Sequence, residues 1–131
     1  MDVQIAQIAL ETVLSAAHGA GQAECCGLLL GRGNAVTRAE PARNVHPNPQ
    51  THFEIDPAAL IAAHKAAREG GDALLGYYHS HPNGLARPSP TDAAMAAGDG
   101  TVWAIVTRTE VTFWRDTPHG FAPLSYSVTG E

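Results

Sequence analysis

Two histidines, a serine and an aspartate lie within fourteen residues of one another in this 131-residue chain. His79 and His81 are separated by one residue, and Ser89 and Asp92 follow a segment rich in proline and glycine. The apolar residues 74–78 are typical of a buried strand, in which side chains two positions apart project from the same face. We therefore expect the two imidazoles to converge on one point. The intervening loop brings the chain back, so that Asp92 can join them.

Two histidine nitrogens and one carboxylate oxygen form the ligand set of a hydrolytic zinc site, because structural zinc usually has four protein ligands. The hypothesis is one catalytic zinc ion per chain, held by His79, His81 and Asp92, with its fourth position occupied by water. Zinc lowers the pKa of such a water toward about 7 and polarises a carbonyl group. A simpler interpretation makes His79 and His81 polar residues at a strand end, since short patterns often arise by chance.

A zinc hydrolase also needs a general base, and Glu24 is the candidate. It immediately precedes the apolar residues 25–30. Glu24 is either a solvated loop residue or a carboxylate that faces the catalytic water, with a pKa tuned by its apolar surroundings. Ser89 has two matching interpretations, as the cap of a helix or as a hydroxyl that donates to the oxyanion of a tetrahedral intermediate.

Several other chemistries lack their motifs. No Gly-X-Ser-X-Gly segment supports a serine hydrolase, and the Pro-Cys-X-X-Cys segment that a zinc deaminase needs does not occur. A cysteine hydrolase built on Cys25 or Cys26 would leave the spacing of Asp92 unexplained. We assign no catalytic role to the remaining histidines, which are His18, His46, His52, His64 and His119.

The composition indicates one globular domain over residues 1–131. Hydrophobic residues make up 44% of the chain and charged residues 16%, without the signature of disorder. The net charge is -5, and the eight lysines and arginines are scattered, so nucleic acid is not an expected partner. No apolar window is long enough to span a membrane and no signal peptide is recognisable, so we expect a cytoplasmic protein.

Alternating patterns predict an α/β (α+β) layer structure with a mixed, largely antiparallel sheet flanked by helices. Apolar spacing and turn residues predict helices over residues 5–20, 57–69 and 90–97. Strands are predicted over residues 25–30, 35–44, 51–55, 73–81, 102–107, 111–115 and 121–128, the first two as a hairpin.

Two motifs more than fifty residues apart together resemble the JAMM or MPN+ metallopeptidase family. The resemblance extends over nearly the whole chain, including Asn44. By this similarity His79, His81 and Asp92 are zinc ligands, Glu24 is the catalytic acid-base and Ser89 stabilises the oxyanion. The matching segments are Glu24-X-Cys26-Gly27-Leu28-Leu29-X-Gly31, His79-Ser80-His81-Pro82 and Ser89-X-X-Asp92.

The resemblance implies a fold related in architecture to the zinc deaminases. It also implies hydrolysis of peptide or isopeptide bonds at the C-terminal tails of ubiquitin-like proteins. Only thirty-four residues separate Asn44 from His79, which leaves no room for long insertions. The chain is therefore similar to compact prokaryotic members, some of which act at the Gly-Gly end of sulfur-carrier proteins. An extended tail can bind by strand addition at a sheet edge, and residues 83–88 are candidates for part of its channel.

Two alternatives from other functional classes remain at this level. Many relatives retain the fold as a non-catalytic MPN-type scaffold after losing their metal ligands, whereas all of the family positions are present here. A second alternative is a RadC-like, DNA-associated protein, against which the acidic charge argues. The oligomeric state is open, because an unpaired strand edge can pair two copies or receive a tail.

Overall fold

The computed structural model describes residues 3–130, which form eight β-strands and three α-helices. In these residues no helix combines the length and apolar character needed to cross a bilayer. The elements in chain order are β1 (Val3–Ala6), α1 (Gln7–Ala20), β2 (Cys26–Arg32), β3 (Ala35–Ala42), α2 (Pro57–Arg68), β4 (Ala73–Ser80), α3 (Pro90–Met95), β5 (Val102–Val106), β6 (Val111–Thr117), β7 (Gly120–Leu124) and β8 (Tyr126–Thr129).

The eight strands form one sheet in the order β7-β6-β5-β4-β2-β3-β1-β8. Three neighbouring pairs are parallel, namely β1 with β3, β1 with β8 and β4 with β5. The other four pairs are antiparallel, among them the β2–β3 hairpin. The predicted mixed, largely antiparallel sheet with flanking helices is therefore confirmed.

The sheet separates two apolar layers, because successive side chains of a strand point to opposite faces. Leu29 of β2 packs in a cluster that includes Val13 of α1. Its neighbours Leu28 and Leu30 pack in a second cluster that includes Ala63 of α2. One helix therefore covers each face of the sheet.

The central strand β4 positions the predicted histidine motif. Its register pairs His79 with Cys26 of β2 on one side and with Ile105 of β5 on the other. The neighbouring Tyr78 belongs to the apolar cluster beneath α1, so His79 faces the layer on the opposite side. His79 is consequently held within the sheet, with ladder strands on both sides.

The predicted helix over residues 5–20 is wrong at its beginning. Val3 and Ile5 are fully buried and alternate with the exposed Gln4, as expected for a strand. Both neighbours of this strand are parallel to it, and they come from distant parts of the chain. Ile5 and Ile8 lie three positions apart and therefore imitate a helical period. Ala6, the residue just before α1, makes no side-chain capping bond, so the sequence has no cap that marks the start of this helix.

Two predicted strands also differ from the structure. Residues 51–55 form a loop that has a single antiparallel bridge, between Asn44 and Ile55. Residues 121–128 contribute to two strands rather than one, because β7 pairs with β6 and β8 pairs with β1 at the opposite end of the sheet. Pro123 lies in β7, which forms an edge where its missing N–H is tolerated.

Candidate active site

Three potential metal ligands meet in the protein interior. His79 lies near the end of β4, His81 comes just after this strand, and Asp92 is the third residue of α3. Their relative exposures are 0%, 6% and 3%, respectively. The Nε2 atoms of the two histidines are 3.0 Å apart, and each lies 3.1 Å from a different carboxylate oxygen of Asp92.

This group fits a tetrahedral metal ion in both chemistry and spacing. Zinc bound to nitrogen or oxygen at 2.0–2.2 Å places neighbouring ligand atoms about 3.3 Å apart. The separations of 3.0–3.1 Å among the two Nε2 atoms and the carboxylate are close to that value. Only small side-chain movements would be needed to accommodate the ion among His79, His81 and Asp92.

A backbone carbonyl determines which nitrogen of His81 is available. The oxygen of Leu85 can only accept, so the Nδ1–H of His81 donates to it at 2.7 Å. The Nε2 atom is therefore the nitrogen that carries a lone pair in the neutral ring, and it points toward Asp92. Burial lowers the pKa of His81, but hydrogen bonds with Asp92 and Leu85 outweigh this effect and raise it overall.

His79 packs against two aromatic rings. Phe53 stacks on it with a centroid distance of 4.3 Å and an interplanar angle of 18°, and Trp103 approaches edge-on at 5.7 Å. Burial in this apolar setting lowers the pKa of His79 despite its bond to Asp92. The imidazole is therefore neutral at physiological pH, which is the form that binds metals.

The first turn of α3 holds Asp92 and Ser89 together. Ser89 Oγ accepts from the N–H of Asp92 at 3.0 Å, and Asp92 Oδ2 accepts from the N–H of Ser89 at 2.9 Å, which forms a reciprocal capping box. Burial alone would raise the pKa of Asp92, but bonds from His79 and His81 hold it well below the usual range. Asp92 is therefore an anion in a fixed orientation.

Glu24 is buried, with 8% of its surface exposed, although it lies outside the strands. Its N–H donates to the carbonyl oxygen of Pro49 at 2.7 Å. Burial raises the pKa of Glu24 to about 7; the nearby His81 opposes this shift and Asp92 adds to it. The carboxyl group is therefore poised between its charged and neutral forms near neutral pH, and the interpretation of Glu24 as a solvated loop residue does not hold.

Glu24, His81 and Ser89 line one cavity of about 230 Å³. Pro82 and Asn83 contribute to its wall, as does the segment that contains Gln50 and Thr51. A separate groove of about 290 Å³ is lined by Phe53 and Trp103, the two aromatic residues that contact His79. The cavity thus combines a potential metal ligand, a titratable carboxyl and a hydroxyl within reach of one small substrate segment.

The sequence patterns do not reveal that Phe53, Leu85 and Asn44 support the site. Phe53 carried a weak signal, because an aromatic residue in an otherwise polar loop needs a buried partner. Leu85 acts through its backbone oxygen, which no side-chain pattern can reveal. Trp103 is buried and packs against His79. Ser80 projects away from the site and accepts a bond from the N–H of Cys25.

Comparisons with known proteins agree with this geometry. The sequence model of a family described as prokaryotic homologs of the JAB domain matches residues 6–117. A desampylase from Haloferax volcanii is 37% identical over 109 residues, which cover 79% of this chain and 78% of that protein. A probable TtuB-protein conjugate cleaving protease from Thermus thermophilus is 51% identical over 69 residues, which cover 53% and 46%. A solution structure from Desulfitobacterium hafniense has a TM-score of 0.86 and 30% identity, over 98% and 94% of the two chains.

The raised pKa of Glu24 predicts how the stability of the metal-free protein depends on pH. Between its ordinary pKa of 4.5 and its folded-state pKa of about 7, this carboxyl binds more protons in the folded than in the unfolded state. Its contribution to stability is therefore lost as the pH rises through this window. As the pH rises through this window, chemical denaturation should show the free energy of unfolding of the unsubstituted protein declining relative to that of Glu24→Gln, whose side chain cannot ionise. If the free energies of unfolding of the two proteins changed in parallel with pH, the raised pKa of the buried Glu24 carboxyl would be contradicted.

Proposed function

Because the chain belongs to the family of prokaryotic homologs of the JAB domain, we propose that it is a zinc-dependent hydrolase of isopeptide bonds in conjugates of ubiquitin-like proteins. The names of two relatives, a desampylase and a protease that cleaves protein conjugates, support this activity. The observation that carries the proposal is the buried group of His79, His81 and Asp92 beside a cavity that also contains Glu24 and Ser89.

In this proposal His79, His81 and Asp92 hold one zinc ion per chain. Their ligand atoms would be the two Nε2 nitrogens and a carboxylate oxygen, a set found in hydrolytic zinc sites. When bound, zinc acidifies an attacking water and polarises the carbonyl group of the scissile bond. The hydrogen bond from His81 Nδ1 to Leu85 fixes the ring orientation that such a ligand requires.

Glu24 is the proposed general base and general acid. Its carboxylate accepts a proton as the oxygen of water bonds to the carbonyl carbon. It then delivers this proton to the leaving nitrogen as the C–N bond breaks, so that one water molecule is consumed. A group with a pKa of about 7 can perform both transfers near neutral pH.

Ser89 is the proposed oxyanion stabiliser. Its Oγ already accepts the N–H of Asp92, so the hydroxyl hydrogen remains free to donate into the cavity. A donor aimed at the carbonyl oxygen stabilises the negative charge that develops there. Ser89 does not need to act as a nucleophile in this mechanism.

The proposed substrate segment is an extended Gly-Gly tail of a ubiquitin-like or sulfur-carrier protein. A cavity of about 230 Å³ favours residues without bulky side chains. Strand addition to the edge strands β7 or β8 would not bring the tail to the site, because other strands separate both of them from β4. The tail would instead lie along the loops that contain Pro82, Asn83 and Thr51, which line the cavity.

Substitutions of the base and of the ligands should have different effects. Glu24→Gln should retain one zinc ion per chain but lower kcat by at least about 100-fold, because general acid-base catalysis contributes about 10²–10⁴-fold. His79→Ala and Asp92→Ala should lose both zinc and activity. Zinc content and hydrolysis of a ubiquitin-like protein joined through its Gly-Gly end to a lysine side chain are the measurements. Full activity of zinc-loaded Glu24→Gln would rule out this mechanism.

The two functions of the Ser89 hydroxyl can be separated. Ser89→Gly should cost only a few tenths of a kcal/mol of stability, whereas Ser89→Ala should cost about 1 kcal/mol, because glycine is tolerated at an N-cap. Both should lower kcat by about 100-fold, since each lacks the oxyanion donor. Asp56→Ala, which removes the side-chain cap of α2, is the matched control and should lose stability but not kcat. Unchanged kcat in Ser89→Gly would exclude the oxyanion role.

A further inference from the structure

Asn44 uses every hydrogen-bonding position of its side-chain amide. Its Nδ2 donates to the carbonyl oxygens of Glu24 and His52, both at 2.9 Å. Its Oδ1 accepts from the N–H groups of His46 at 3.1 Å and Glu54 at 3.0 Å. An asparagine amide has two donor hydrogens and an oxygen that can accept two bonds, so these four bonds satisfy it completely. All four partners are backbone groups, which fixes the side chain firmly.

This residue closes a loop formed by residues 45–54, which we call the 45–54 loop. Asn44 forms an antiparallel bridge with Ile55, and the N–H of Val45 donates to the oxygen of Glu54 at 2.9 Å. The loop lies outside the strands of the sheet. Its two ends are therefore joined by this short backbone bridge together with the Asn44 amide, and not by a continuous ladder.

The 45–54 loop and Asn44 together hold the backbone of Glu24 at both of its polar groups. The N–H of Glu24 donates to Pro49, and its carbonyl oxygen accepts from Asn44. The strand β2 begins only at Cys26, so Glu24 lies before the sheet ladder. A shift of the 45–54 loop would therefore move Glu24 as well.

The other bonds of Asn44 fix a contact to a proposed metal ligand. His52 and Glu54 flank Phe53, whose ring stacks on His79 at 4.3 Å. One amide therefore connects the residue proposed as the base with the residue that packs on the ligand. These contacts are made by Asn44 and the 45–54 loop and do not include the strand pairs of the sheet.

We propose that Asn44 is a positioning residue that sets the place of the Glu24 carboxylate relative to His79, His81 and Asp92. The inference rests on the proposed function, because only a reaction that uses Glu24 as its base requires this placement. Asn44 acts through the backbone of Glu24 and contributes no group to the reacting atoms. Its removal should slow proton transfer without preventing metal binding.

Asn44→Asp is the most informative variant, because the two side chains have the same shape. An aspartate keeps the acceptor bonds from His46 and Glu54, but it directs an oxygen at the carbonyl oxygens of Glu24 and His52. Asn44→Ala removes all four bonds. Thr37→Val on β3 is the matched control, since it removes hydrogen bonding to Leu30 and Asp72, neither of which belongs to the 45–54 loop.

The experiment measures kcat, KM, zinc affinity and thermal unfolding of the full chain with the conjugate substrate described above. Asn44→Asp should lower kcat by about 10–100-fold, because a misplacement of about 1 Å can cost about 100-fold. Its KM should change by less than about threefold, as expected for an interaction that matters in the transition state. Zinc affinity should be unchanged, and Thr37→Val should keep kcat within about twofold while losing stability.

A double substitution decides whether Asn44 acts through Glu24. In the Glu24→Gln background, adding Asn44→Asp should lower the residual rate by less than about twofold, since coupled residues are not additive. If Asn44→Asp lowers kcat equally in the unsubstituted protein and in Glu24→Gln, or leaves kcat unchanged in a folded protein, the positioning role is wrong and the proposed function is unaffected. If the unsubstituted protein cleaves no conjugate, or Glu24→Gln is fully active, the proposed function fails and the inference fails with it.

Discussion

The interior meeting of one carboxylate and two imidazoles is the constraint on which the rest of this structure depends. A buried carboxylate is costly unless hydrogen bonds and opposite charge compensate for its lost hydration. Asp92 obtains this compensation from His79 and His81, at 3.1 Å each. The opposite shifts of the two histidine pKa values show that their surroundings differ, since His79 is enclosed by aromatic rings and His81 is bonded to Leu85. A divalent cation at this point would satisfy all three groups at once, and its binding would be linked to proton release.

The fold positions these groups by strand pairing and helix capping. His79 is held by ladder partners on both sides of β4, and Asp92 is held by the capping box at the start of α3. The base is held differently, because Glu24 precedes its strand and depends on the 45–54 loop. As a result, His79 and Asp92 are held by regular secondary structure, whereas the position of Glu24, the proposed base, depends on the 45–54 loop.

The meeting of His79, His81 and Asp92 could be predicted from the sequence because its signals are local. A period of two within β4 brings His79 and His81 together, and the proline- and glycine-rich turn before a capped helix returns Asp92 to them. The burial of Glu24 was only one of two interpretations, because an isolated carboxylate next to an apolar run does not reveal what covers it. The stacking of Phe53 on His79 and the four bonds of Asn44 depend on tertiary neighbours. The same holds for β1, whose strand character comes from pairing with distant segments, and for the division of residues 121–128 between β7 and β8.

Diffraction at the zinc absorption edge would test the central claim most directly. Crystals of the protein loaded with one equivalent of zinc should show one strong anomalous peak per chain. The peak should lie about 2.0–2.2 Å from the Nε2 atoms of His79 and His81 and from a carboxylate oxygen of Asp92. A zinc ion bound at other residues while these three side chains remain free of metal would contradict the claim that this group is the catalytic centre.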